Sequence, residues 1–127
     1  MLPPLWFPMV DVRDVARSHL FLLEHAEASG RFLVCNGHFW LMQLADVLRG
    51  EFPDRPIPSR TLPVWLFKIV GRFDKRMDRS LLYENTVEGL HVDTGKIEGL
   101  GFKYEYDIPR AAIDHARSLV EHGLLAK

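Results

Sequence analysis

The groups in this sequence that could do chemistry are its histidines, its clustered carboxylates and one run of basic residues. Six histidines raise the question of a metal centre. His115 and His122 stand seven positions apart, two helical turns and ~10 Å along an axis, too far to chelate one ion directly. His19 and His25 point to different faces of a helix. A zinc site would have to be assembled from distant residues around a single cysteine, so solvated or core-edge histidines are the expectation. Lys68, Arg72, Lys75, Arg76 and Arg79 recur at helical spacing and could bind a phosphate or an anionic partner. Asp74 and Asp78 lie among them, however, and such interleaving marks a solvent-exposed face that pairs its own charges. Asp11, Arg13 and Asp14 could serve as an acid/base cluster. Strand alternation puts Asp11 and Arg13 on one face, where they pair, and Asp14 is placed to cap a helix.

With 127 residues the chain suits one domain with a real core, burying somewhat under ~70% of its unfolded surface. A hydrophobic fraction of 47% and a charged fraction of 26% are those of a folded globular protein and exclude disorder. Sixteen basic against seventeen acidic residues give no global field for nucleic acid or an acidic membrane surface, so neither is expected as a partner. Cys35 sits in the apolar run Phe32-Leu33-Val34-Cys35, where a buried, inert thiol is expected. A reducing cytoplasm fits this usage. The apolar opening from Met1 to Val10 lacks a basic start, and three prolines break it, so it is no signal peptide. The run Leu62 to Val70 is interrupted by Lys68 and falls far short of the ~20 residues that cross a bilayer.

The elements that must position these groups follow from periodicity and punctuation. Val10 and Val12 alternate with charge as a strand does, and Val15, His19, Leu22 and Ala26 then recur at helical spacing behind an Asp14 cap. Glu27 to Gly30 reads as a helix end and turn, and Arg31 to Cys35 as a short buried strand, making residues 9–35 a βαβ-like unit. The loop Asn36-Gly37-His38 leads to a second helix with Phe39, Met42, Leu44, Ala45, Val47 and Leu48 on its apolar face. Prolines 53, 56 and 58 make a fixed connector, and Pro63 lies in the first turn of a third helix. Leu81-Leu82-Tyr83 returns the chain to the core, and Leu90 to Asp93 is a strand candidate. Thr94 can cap a brief helix from Gly95 to Leu100 that Gly101 ends. The last helix is capped by Asp107, carries Pro109 in its first turn and the stripe Ile108, Ala112, Ala116, Leu119, Val120, and stops at Gly123. The fold class is α/β, with short strands, about five helices, and too little sheet to be doubly wound alone. We divide it into an apolar lead-in (1–8), the βαβ-like unit (9–35) and a helical lobe with short strands (36–127).

The order of four pieces resembles the extended short-chain dehydrogenases/reductases, in the dihydroflavonol 4-reductase-like branch of the epimerase/dehydratase family. These are Val10-Asp11-Val12-Arg13-Asp14-Val15-Ala16, the turn and strand Ala28 to Cys35, the helix Leu44 to Arg49 with Phe52-Pro53 and Ile57-Pro58, and Val92 to Lys96 with Leu100-Gly101-Phe102. The resemblance implies the C-terminal, substrate-side portion of an NAD(P)-dependent carbonyl reductase, acting on a small, fairly apolar carbonyl compound. It also implies that Trp6, Phe7 and Met9, flanking the first strand, are candidate walls of a substrate pocket, with core or interdomain packing as their alternative role.

What the family uses for chemistry is missing. Its glycine-rich turn holds the cofactor pyrophosphate at a helix N-terminus. Here Gly95, Gly99 and Gly101 have the wrong spacing and read as caps and stops. Its reductive step needs a Tyr four residues before a Lys, so that the ammonium lowers the phenol pKa. Tyr83 is followed at that spacing by Val87, Tyr104 by Ile108 and Tyr106 by Arg110. No catalytic, cofactor-binding or metal-binding residue is therefore assigned, and NADP or NAD is implied only for a longer parent. The expected partner is the absent N-terminal Rossmann domain or a second copy of the chain. A free-standing, non-catalytic binding module and a fragment of a nucleotide-sugar epimerase or dehydratase are the alternatives.

Overall fold

A computed structural model describes residues 1–73 and 91–125. Within them five helices surround a two-stranded antiparallel sheet. Strand β1 is Trp6–Pro8 and β2 is His38–Trp40, in the register Trp6 to Trp40, Phe7 to Phe39 and Pro8 to His38. The ladder continues past the proline, because the Met9 N–H donates to the Gly37 carbonyl at 2.9 Å and the Asn36 N–H to the Met9 carbonyl at 2.8 Å. Proline has no N–H to give, so it fits only where the pairing does not need one. The lead-in is also tied to the connector, since the Leu2 N–H donates to Arg60 O and the Leu62 N–H to Leu2 O.

The first helix, α1, is Val12–Glu24. Its cap is Asp11 rather than Asp14, with Asp11 Oδ1 accepting the Arg13 N–H at 2.7 Å. The alternation of Val10 and Val12 thus belongs to the approach to the helix and not to a strand. Asp11 and Arg13 do pair, at 2.7 Å, in the geometry of that cap. The inward face of α1 also differs from the expected Val15, His19, Leu22, Ala26 stripe. Asp14 and Ser18 are fully buried, and Phe21 packs its ring on Phe102 at 5.3 Å and on His25 at 3.9 Å. Asp14 faces in because the neighbouring segment 103–106 presents backbone N–H groups to it, while the Ser18 hydroxyl donates to the Val15 carbonyl of its own helix at 2.7 Å. Apolar residues face out, with Val12 at 77%, Leu20 at 63% and Leu23 at 82% exposure.

Residues 31–35 form no strand among the described residues, and only Cys35 of them is buried. The expected strand-helix-strand unit is therefore not formed locally, because an extended segment becomes a strand only when another supplies its ladder. Cys35 is a buried free thiol that donates to the Gly37 carbonyl at 3.2 Å.

Helix α2 is Leu41–Glu51, beginning two residues later than expected because Phe39 is held in β2. Its start is closed by the Gln43 side chain, which accepts the Trp40 N–H at 2.9 Å. Helix α3 is Val64–Phe73, entered from Pro63, with Phe67 buried. Helix α4 is Gly95–Gly99, and Gly101, at φ +100°, reverses the chain after it. Thr94 stands at its cap position but its hydroxyl bonds Glu98 and makes no cap bond, the Asp93 carboxylate accepting the Gly95 N–H at 2.8 Å instead. Helix α5 is Ile108–Glu121, and its reading from the sequence holds throughout. Asp107 Oδ1 accepts the Arg110 N–H at 2.7 Å, and Gly123 takes φ +68° at the end. No strand is formed by residues 91–93, and Leu90, the basic run beyond Phe73 and Leu81-Leu82-Tyr83 lie outside the described residues.

Helices α2 and α5 pack on one another, and the Arg117–Glu51 ion pair closes their rim. The fully buried Ile97 of α4 and the buried Phe102 and Ile108 form the remaining centre of the core. Arg13 bridges α1 to α5 by bonding Asp11 and Asp114 while lying 3.9 Å over the Tyr106 ring. None of the described helices is long and apolar enough to cross a membrane.

Candidate substrate-side site

The β1–β2 ladder positions the residues singled out for a pocket. Alternation separates them, placing Trp6 and Pro8 on one face and Phe7 on the other, with Met9 following on the side of Phe7. Trp6 gathers a cluster that sequence spacing did not reveal. Its ring lies 5.5 Å from Trp40, 5.6 Å from His38 and 5.4 Å from His91, and the two imidazoles are 5.3 Å apart. The signal was the alternation of His38 and Trp40, hidden because the pair was divided between a loop and a helix. The cluster supplies part of the surface that the apolar lead-in needs. Trp6 remains half-buried, and its indole Nε1 is shielded from solvent without a hydrogen-bond partner.

His38 Nε2 accepts the Val92 N–H at 3.2 Å, which ties segment 91–93 to β2 and leaves the His38 proton on Nδ1. The arrangement offers flat aromatic faces suited to stacking an unsaturated ring or chain. It has no nucleophile and no acid/base pair. Among the described residues no three metal-ligating side chains converge.

Three cavities lie away from this cluster. One of about 430 Å³ has a mixed lining that includes Val10, Asp11, Arg13, Ala111, Asp114 and His115, and its carboxylates are already held by Arg13. An apolar one of about 280 Å³ is lined by Leu48, Phe52, Ile57, Ala116 and Val120 between α2 and α5. A third, also about 280 Å³, lies between α1 and residues 28–32.

Among the described residues, the N-termini of α1 and α5 are each filled by a carboxylate of the chain itself, Asp11 and Asp107, so neither fits a pyrophosphate. An anion arriving there would meet like charge.

Asp11 gives this region a pH dependence. Hydrogen bonds from the Arg13 side chain, which outweigh burial, hold its carboxyl below its ordinary value of 3.8. A depressed acid stabilises the fold above its unfolded pKa and loses that contribution as pH falls through the folded value. Stability to urea should therefore decline as pH falls below about 4, and Asp11→Asn should remove that part of the slope. An unchanged slope in the variant would contradict this.

The fold is that of part of a Rossmann-type reductase. Vestitone reductase from alfalfa superposes with a TM-score of 0.65 over 98% of this chain and 34% of its own, at 23% identity. No protein-family profile matches. An uncharacterized oxidoreductase of Schizosaccharomyces pombe is 35% identical over 96 residues, covering 73% of this chain and 29% of its own length. Tetraketide alpha-pyrone reductase 1 of Arabidopsis thaliana is 32% identical over 117 residues, covering 92% and 29%. The chain thus spans 29% of the length of these two relatives and 34% of the solved structure. It belongs to the extended short-chain dehydrogenases/reductases, in the dihydroflavonol-reductase-like branch, as a fragment of that fold.

Proposed function

We infer that this chain is the C-terminal, substrate-side portion of an NAD(P)H-dependent carbonyl reductase and is inactive alone. The observation that carries the reading is the Trp6 cluster, an aromatic platform on a chain that has no dinucleotide cradle among its described residues. Residues 1–127 act as one substrate-side unit in a reducing cytoplasm. Trp6, with Trp40, His38 and His91 around it, forms one wall against an apolar carbonyl substrate. Phe7 and Met9, on the other face of the ladder, pack against the cofactor-bearing portion rather than against the substrate. That portion supplies the nicotinamide, which donates hydride when bound, and the groups that protonate the carbonyl oxygen. The residues of this chain orient the substrate and exclude water.

Incubating the purified chain with NADPH or NADH and a panel of aldehydes and aryl ketones should give no oxidation of the nicotinamide above background. It should also give no quenching of Trp6 and Trp40 emission by the cofactor. Turnover that co-purifies with the chain through successive columns would overturn the reading.

A further inference from the structure

Residues 91–93 are held to the sheet by a bond that needs a neutral imidazole. The Val92 N–H donates to His38 Nε2 at 3.2 Å, and among the described residues no other hydrogen bond joins residues 91–93 to β1 or β2. A backbone N–H can only donate, so Nε2 must keep its lone pair and the ring hydrogen sits on Nδ1. Neither nitrogen then offers a lone pair to a metal ion, so the His38 and His91 rings, 5.3 Å apart, are not a metal site. Protonation turns Nε2 into a second donor. The partly buried Val92 N–H then faces another N–H and loses its partner.

We propose that His38 is an acid-operated latch, which closes residues 91–93 against Trp6 when neutral and releases them when protonated. Histidine is the side chain whose ordinary pKa lies between pH 5 and 8, so the latch works in that range. It is shut at the upper end and opens as pH falls.

The groups around His38 favour release. Strand β1 brings Trp6 and Pro8, neither of which titrates. The segment itself brings His91, whose protonation puts a second positive charge 5.3 Å from the first, well inside the ~10 Å screening length at 0.1 M salt. Nearby carboxylates are engaged elsewhere. Asp93 accepts the Gly95 N–H at 2.8 Å, and on α2, which follows β2, Asp46 and Glu51 pair with Arg49 and Arg117. The buried Ile97 fixes α4 just beyond, so the motion stays local. Trp6 keeps Trp40 at 5.5 Å and loses His91 from its edge. The latch rests on Trp6 being a substrate wall only for its effect on substrate, since its motion is measured on the chain alone.

NMR of the unmodified chain between pH 8 and 5 tests it through the His38 ring nitrogens and the Val92 amide. At pH 8 the His38 ring should be the Nδ1–H tautomer. As that ring titrates, the Val92 amide shift should move with the same midpoint. Protection of this amide from hydrogen exchange, corrected for the intrinsic rate, should fall roughly fivefold, as loss of one hydrogen bond gives. His38→Gln, whose side-chain oxygen accepts but does not titrate, should abolish the pH response of Val92, and His115→Gln on α5 should leave it intact. An Nε2–H tautomer at pH 8, or a Val92 amide that stays in place while His38 titrates, would overturn the latch. So would a Val92 response that persists in His38→Gln. None of these readouts involves substrate, so the latch can fail while the substrate wall stands, and the reverse.

Discussion

Asp14→Ala should lower the stability of this chain by about 3 kcal/mol or more, enough to leave a small domain largely unfolded at 37 °C. Asp14 is fully buried, and its carboxylate accepts the Glu105 N–H at 3.1 Å, the Tyr106 N–H at 3.0 Å and the Arg17 guanidinium at 2.6 Å. Removing it leaves two backbone donors without a partner, and each such loss costs about 1–3 kcal/mol. Arg17 would keep Glu105 and the Lys103 carbonyl, so the damage falls on the backbone of 105–106. Asp14→Asn should cost less, because one oxygen still accepts while its amide NH₂ faces a donor. Urea denaturation followed by circular dichroism gives the ranking. Equal stability of Asp14→Ala and the unmodified chain would show that Asp14 does not hold α1 to this segment.

Ile97→Ala should cost about 2–5 kcal/mol, and Ile97→Val about 0.5–1.5 kcal/mol, by the same measurement. Ile97 has no exposed surface although it lies in a helix of only five residues. Its carbonyl accepts the N–H groups of Leu100 and Phe102, so it also anchors the turn into the buried Phe102. Such a short helix has almost no stability of its own, and the burial of this side chain is what keeps it formed. An alanine variant as stable as the parent would mean that α4 is held by its caps instead.

The contrast between these two residues shows what the sequence carries. Helix α5 was legible throughout because its cap, its apolar stripe and its stop glycine are local signals that agree. Asp14 was misread because Val10-Asp11-Val12 mimics a strand, and the partners that bury its carboxylate lie some ninety residues away. The burial of Asp14 follows from the same long-range bonds, which no periodicity reports, whereas Ser18 is satisfied locally by the Val15 carbonyl. Residues 31–35 have strand-forming composition without a ladder, since a ladder depends on a second segment. Of the candidate site, Trp6 was visible as an apolar residue in need of a surface. His38, Trp40 and His91 were not, because a three-residue strand is defined by its pairing with β1 rather than by its own pattern.

The central claim is that this chain furnishes the substrate wall of a reductase whose cofactor lies elsewhere. Its most direct test is a chimera in which residues 1–127 replace the matching portion of tetraketide alpha-pyrone reductase 1, which aligns with 92% of this chain. The account predicts NADPH-dependent reduction of apolar carbonyl compounds by the chimera. It further predicts that Trp6→Ala raises KM about 2- to 13-fold for aryl substrates while leaving cofactor affinity unchanged, as loss of about 0.5–1.5 kcal/mol of stacking requires. A chimera that binds NADPH and reduces the same compounds with the same KM whether or not Trp6 is present would contradict it.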